Sequence, residues 1–359
     1  MKPHVIVALS GGVDSAVAAA LLLEEGYEVS ALFMKNWEDD DTDTFCPSAA
    51  DYESARTVAD RLEIPLHAAN FATEYRARVF TRFLEDCAAG LTPNPDVLCN
   101  REIKFDVFWR HAQRLGANLM ATGHYARIQM REGRYQMLAG CDPHKDQTYF
   151  LHTIDPGILP YTRFPIGDFH KEEVRAKARD LGLANAERKG SSGICFIGER
   201  HFRPFLQRYL KGAPGPIYTT AGESKGQHEG LMYYTIGQRH GLGIGGPGEA
   251  WYVAEKRRHD NALIIVQGTD HPRLYKDECH ILAPHWLGPA PPLPWQGQVK
   301  IRYRQAAEPA CLEALDDGGL RLRFTKPQRA VTPGQSAVFY EGPLCLGGAV
   351  IAETEPPTP

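Results

Sequence analysis

The apolar run Val5-Ile6-Val7-Ala8-Leu9 passes directly into Ser10-Gly11-Gly12-Val13-Asp14-Ser15 and then into the helical stretch Ala16 to Glu25. Few local patterns constrain a fold as tightly. A buried strand that turns through two glycines into a helix leaves unpaired backbone N–H groups aimed at one point, with the positive end of the helix dipole behind them. That point suits a pyrophosphate. There is no Gly-Lys-Ser/Thr triplet, which excludes the lysine-bearing loop of kinases and GTPases. Ala8, Leu9, Ser10, Gly11, Gly12, Val13, Asp14 and Ser15 are therefore assigned to the phosphate end of an ATP site, with Asp14 positioning metal or phosphate.

Strand and helix signals alternate along the first half of the chain. After the first helix, Tyr27 to Met34 predicts a strand, Ala49 to Leu62 a helix, Leu66 to Phe71 a strand, and Glu74 to Ala88 and Arg101 to Leu115 helices. Asn118 to Ala121 is a short buried strand ending at Thr122-Gly123-His124. Such alternation predicts a parallel sheet covered on both faces, with ligands at the carboxyl ends of its strands, where Ser10 to Ser15, Met34 and Gly123 all fall. Beyond the helix Lys171 to Leu181 the texture changes. A small central region opens with a helix at Phe202 to Leu210 and carries the Gly-rich run Tyr234 to Gly246, and from His271 short strands alternate with Pro and Gly turns. The expected fold is multidomain α/β: a parallel-sheet ATP-binding domain over 1–200, a small central domain over 201–270, and a C-terminal β-barrel over 271–359.

No apolar stretch approaches the ~20 residues that span a bilayer, and no cleavable signal pattern is visible, so no membrane partner is expected and the cytoplasm is. Eight cysteines show neither a CxxC pair nor a zinc spacing. In a reducing compartment most should be small buried hydrophobes. The net charge of −4 argues against a nucleic-acid partner, but its distribution does not. Acids cluster after Trp37, whereas Arg163 to Lys211 and the set Lys300, Arg302, Arg304, Arg321, Arg323, Lys326 and Arg329 are basic. The acidic run itself is expected to be a solvated loop.

Two cysteines stand apart. Cys99 follows Thr92-Pro93-Asn94-Pro95-Asp96-Val97-Leu98, whose prolines hold the chain extended before a helix expected to begin near Arg101. A thiol beside a helix N-terminus has its thiolate favoured, and Arg101 and Lys104 add positive charge. Cys195 lies in Lys189 to Gly198, a glycine-bracketed stretch whose Gly and Ser content implies mobility.

Taken together, Ser10 to Ser15, Phe33-Met34-Lys35-Asn36-Trp37, Thr92 to Asn100, Ala121 to Tyr125, Lys145-Asp146-Gln147, Gly193 to Gly198, Tyr234 to Gly246 and Ala330 to Tyr340 closely resemble the bacterial tRNA-specific 2-thiouridylase family. The loop at Ser10 is similar to the PP-loop of the ATP pyrophosphatases. What the resemblance implies is sulfur replacing the 2-oxygen of the wobble uridine in tRNAs for Lys, Glu and Gln, with ATP and Mg²⁺. It makes Cys195 a persulfide carrier charged by a sulfur-donor protein, either a cysteine desulfurase or a relay protein. It makes Cys99 the nucleophile that frees the terminal sulfur, and Asp96 an acid or base beside the target base. It puts Met34 and Gly123 at the adenine and ribose. It places Asn94, Pro95 and Asp96 around the flipped base, and His124, Lys145, Asp146, Gln147, Arg302, Tyr303 and Gln335 against the tRNA. Gly190 and Ser192 depart from the family pattern before Cys195. A GMP- or NAD-synthetase-like enzyme would share the loop without needing the paired cysteines, and a tRNA-binding protein without catalysis would have no use for the loop.

Overall fold

The computed structural model describes residues 2–39, 48–188 and 202–352. The chain opens with β1 (His4–Ala8), β2 (Glu28–Lys35), β3 (Leu66–Asn70) and β4 (Leu119–Ala121), continues through the hairpin β5 (Ala126–Arg131) and β6 (Arg134–Ala139), and returns as β7 (Thr162–Arg163). β3, β2, β1, β4 and β7 form, in that order, a five-stranded parallel sheet. Its crossovers are α1 (Val13–Glu24), α2 (Ala49–Leu62), α3 (72–88) and α4 (95–114), and α5 (Lys171–Asp180) follows β7.

Side chains alternate across the sheet with the two-residue period of a strand. Val5, Val7 and Phe33 pack against α1, α2 and α5, while Ile6, Leu32 and Met34 pack against α3 and α4 through Tyr75, Phe80, Cys99 and Ile103. Burial on both faces explains why these strands read as continuous apolar runs. Each large side chain so buried contributes about 1.5–3 kcal/mol.

The helix bearing Cys99 starts at Pro95, not near Arg101. Proline fits the first helical position because its missing N–H would be unpaired there anyway, and Asn94 caps the helix by accepting the Asp96 N–H at 3.1 Å. Wider π-type turns over Asn100–Val107 carry the helix into Phe108–Arg114. Cys99 thus lies inside the helix rather than ahead of it.

The central region is a sheet the sequence did not announce. After α6 (Phe202–Gln207), β8 (Gly215–Thr219), β9 (Ser224–His228), β10 (Trp251–Arg257) and β11 (Ala262–Gln267) pair in the order β10-β11-β8-β9. The C-terminal strands are β12 (Tyr275–Ile281), β13 (His285–Trp286), β14 (Trp295–Lys300), β15 (Glu308–Ala314), β16 (Leu320–Arg329), β17 (Ser336–Glu341) and β18 (Leu344–Val350). They run β12-β16-β15-β14-β17-β18, and a bridge from Ile281 to Ile351 closes them into a barrel around Leu312, Leu322 and Phe339. The β5–β6 hairpin joins this barrel sheet where Leu138 pairs with Leu344, tying the N-terminal half to the C-terminal one. Among the described residues no helix is long and apolar enough to cross a membrane.

Candidate active site

The turn after β1 has the geometry expected of an anion cradle. Gly11 adopts φ +77°, and a Cβ there would lie 2.4 Å from the Asp51 carbonyl oxygen, so only glycine fits between the turn and α2. Ser54 Oγ, Asn185 Nδ2 and Arg188 Nη1 donate to the Gly11 carbonyl at 2.8, 3.0 and 3.2 Å, which holds the turn from behind. Ser15 Oγ donates to the Gly12 carbonyl at 3.1 Å and accepts the Ser10 N–H at 3.2 Å. No side chain caps α1 at Gly12, so its first N–H groups remain for a ligand.

Asp14, in the first turn of α1, accepts at Oδ1 from Lys171 Nζ at 2.5 Å and from the Tyr125 hydroxyl at 2.8 Å. Burial, reinforced by the adjacent Asp14 carboxylate, pushes the Tyr125 phenol far upward, so it stays a donor. An ammonium group, which the loop's own sequence lacks, is thus brought to it from α5. Oδ2 of Asp14 makes no bond among the described residues, and the side chain is 31% exposed. Mg²⁺ usually takes one or two carboxylates plus substrate phosphates, a donor set that Asp14 fits. Gly123 packs its Cα against α1, where a Cβ would lie 2.6 Å from the Ser15 nitrogen, so β4 ends in contact with the loop.

Beside the loop, a cavity of about 360 Å³ opens at the carboxyl ends of β2 and β3, walled by Phe33, Lys35, Tyr52, Ala69 and Asn70. Its walls are mainly apolar and its volume suits a nucleobase. The Met34 side chain faces the opposite side of the sheet, into the cluster that holds Cys99. The next residue but one, Asn36, is 2% exposed and both its amide atoms lack partners among the described residues. Trp37 is caged by Tyr75, Phe80, Phe205 and Tyr209, which binds α6 to α3. Of the acidic run, Glu38 and Asp39 are described: Glu38 is exposed and accepts from Asn70, and Asp39, partly buried, accepts from Arg76 and Tyr209.

Cys99 is completely buried. The turn ahead of it is held by the barrel, since Thr92 donates to the Pro333 carbonyl at 3.0 Å and its own carbonyl accepts from Gln335 Nε2 at 2.6 Å. Cys195, Gly190 and Ser192 lie outside the described residues. Burial pushes the thiols of Cys87, Cys279 and Cys345 up to about 12, as fits small apolar fillers, whereas Cys141 is exposed.

Several residues assigned to tRNA contact spend their side chains within the protein. Asp146 is buried, with Oδ2 accepting from Lys300 Nζ at 2.7 Å and Oδ1 from Thr148 Oγ1 at 2.7 Å. Gln147 pairs with the Tyr125 backbone. Arg302 donates to the carbonyls of Ile236 and Ala330 at 3.1 and 2.9 Å, joining the Gly-rich run to the barrel. Tyr303 packs on Phe150 with ring centroids 4.5 Å apart. His124 is buried between Phe105 and Phe164, with Nδ1 2.6 Å from Thr122 Oγ1, and burial holds it neutral. Of the basic set, Arg321 and Arg323 pair with Glu313. Lys145 lies half-buried at the edge of this segment.

Tyr125, Lys171, Asn185 and Arg188 are the site residues that motif reasoning did not single out for roles. Their signal is weak. They come from three separate places along the chain, and only the packing of α5 against α1 brings Lys171 to the loop.

A parallel sheet whose first strand turns through glycines into an uncapped helix, with a base-sized cavity alongside, defines a nucleotide-binding α/β protein. The comparisons specify which. Residues 3–199 match a family described as tRNA methyl transferase HUP domain, residues 203–267 its PRC-barrel domain, and residues 276–351 an aminomethyltransferase beta-barrel domain. The tRNA-specific 2-thiouridylase MnmA of Methylococcus capsulatus is 52% identical over 98% of this chain and 96% of its own length. Those of Methylobacillus flagellatus and Pseudomonas syringae pv. syringae are each 53% identical over 98% of this chain, and over 99% and 95% of their own lengths. The chain belongs to the tRNA-specific 2-thiouridylase family.

Proposed function

We propose that the protein carries out ATP-dependent 2-thiolation of the wobble uridine in tRNAs for Lys, Glu and Gln, in the cytoplasm. The observation that carries this is the Gly11–Gly12 turn with Asp14 and Lys171 at the carboxyl end of a parallel sheet, in a chain of this family. A ring carbonyl oxygen is a poor leaving group, so it must be activated before sulfur replaces it. In the proposed sequence the uracil 2-oxygen attacks the α-phosphorus of ATP and pyrophosphate departs into the N–H groups of α1, toward Lys171. Mg²⁺, when bound, shields the phosphate charge.

A donor protein loads a persulfide on Cys195. The Cys99 thiolate attacks the inner sulfur, which forms a Cys99 to Cys195 disulfide and releases hydrosulfide. Hydrosulfide adds at C2 and AMP leaves with the former oxygen, after which a thiol reductant reopens the disulfide. Since Cys99 is buried, its attack requires the face of α4 around it to open. Asn94, Pro95 and Asp96 border the flipped base, where Asp96 moves a proton. Lys145, Asp146, Gln147, His124, Arg302, Tyr303 and Gln335 contact the tRNA or hold the elements that do.

The test is nucleoside analysis of tRNA from a strain lacking this gene. Loss of 2-thiouridine, restored by the gene in trans, is expected; normal 2-thiouridine with no second copy present refutes the assignment.

A further inference from the structure

Three consecutive residues divide their side chains between two parts of the molecule. Asp146 binds Lys300 on β14, and Thr148 Oγ1 lies 3.0 Å from the Tyr340 hydroxyl on β17, so both face the barrel. Gln147, between them, faces the other way. Its Oε1 accepts the Tyr125 N–H at 3.0 Å, and its own N–H donates to the Tyr125 carbonyl at 2.9 Å. The Tyr125 hydroxyl in turn holds Asp14. At the start of the same segment, the Asp142 carboxylate accepts the Lys171 N–H at 3.0 Å, and the Asp142 carbonyl accepts the N–H groups of Lys145 and Asp146. Both donors to Asp14 therefore hang on residues 142–148, and that segment is fastened to the barrel.

We propose that residues 142–148 are a positioning element for the loop carboxylate Asp14, set by the docked barrel, so that ATP binding and tRNA binding are energetically linked through it. This rests on the assignment of the loop to ATP. The Asp146 side chain is 1% exposed, so pulling Lys300 away leaves a buried carboxylate without its counter-charge, which favours the segment moving with the barrel. Asp14 also has two arrangements open to it, paired with Lys171 or released from it when phosphates draw the ammonium away. A ligand that shifts the barrel thus biases the loop, and by reciprocity a ligand on the loop biases the barrel. In this scheme Asp146 and Gln147 act on the loop through Tyr125 and Lys171.

The test is calorimetric binding of a non-hydrolysable ATP analogue to the full chain, with and without saturating unmodified tRNA carrying a wobble uridine. In the wild type, tRNA should tighten the analogue by about fivefold or more. The charge-neutral pair Asp146→Asn with Lys300→Met, and separately Gln147→Ala, should bring that ratio to within about twofold of one. Gln147→Ala leaves the buried ion pair in place, so it serves should the double variant not fold. Lower melting temperature with an unchanged ratio in the folded variants, or a wild-type ratio of one, overturns the inference. Failure of the wild type to bind the analogue at all overturns the ATP assignment instead.

Discussion

Replacing Asp14 by alanine strips Tyr125 and Lys171 of their shared acceptor. Hydrogen bonds to charged groups contribute about 1.5–3 kcal/mol each. The Tyr125 bond falls inside that range, because the residue is 2% exposed and the hydroxyl is left without a partner. The Lys171 bond sits below it, since the Asp14 side chain is 31% exposed and water screens the pair. The expected loss of stability is about 3 kcal/mol. A double-mutant cycle should divide it, with a coupling of about 2 kcal/mol between Asp14→Ala and Tyr125→Phe and about 1 kcal/mol between Asp14→Ala and Lys171→Met. Denaturant unfolding of the single and double variants supplies both numbers. In a discontinuous assay for pyrophosphate and AMP, Asp14→Ala should fall by at least about 100-fold, the scale for losing a positioned charge at a reacting centre. Affinity for tRNA in the absence of nucleotide should change little. Pyrophosphate release within tenfold of wild type, or no coupling in either cycle, would show that the contacts around Asp14 do not build the phosphate site.

The two cysteines separate under sulfur labelling: Cys195→Ser should take no label yet still adenylate tRNA, while Cys99→Ser should hold label on Cys195 without delivering it, and full thiolation by Cys99→Ser would reverse these roles. Burial lowers His152 from 6.5 to about 4, so the folded protein binds fewer protons there than the unfolded chain. Its contribution is whole above pH 6.5 and is lost on acidification toward pH 4, a destabilisation of about 3 kcal/mol; denaturation midpoints that stay level over this range in wild type, or fall as steeply in His152→Gln, would disprove it. Brief alkylation of the native protein should mark Cys141 and spare Cys87, Cys279 and Cys345, as peptide mapping can verify. Affinity for tRNA should fall log-linearly with salt, and Lys145→Ala should reduce the slope by about 0.9 if its ammonium meets a phosphate; an unaltered slope excludes that contact.

The strand and glycine turn of Val5 to Ser15, and the helix Ala49–Leu62, were legible in the sequence, because a buried strand, a glycine turn and an amphipathic helix are set by neighbours within a few positions. So was the barrel, whose short strands carry their own turns. The central sheet was not: Ser224–His228 is polar and takes its strand form from pairing with Gly215–Thr219 beside it. The start of α4 was misplaced because Pro95 reads equally as an extended residue or a first helical one, and the Asn94 cap decides between them only once the chain has folded. The basic residues near the C-terminus announced charge without announcing its use. Whether Lys300 or Arg302 meets an RNA phosphate or a protein oxygen depends on what stands opposite, and Asp146, Ile236 and Ala330 reach them from far along the chain. Local chemistry, a turn that gathers N–H groups, was written in consecutive residues. The partners of Asp14 were decided only by tertiary structure, because Tyr125 and Lys171 come within hydrogen-bonding distance of it solely through the packing of β4 and α5 on α1.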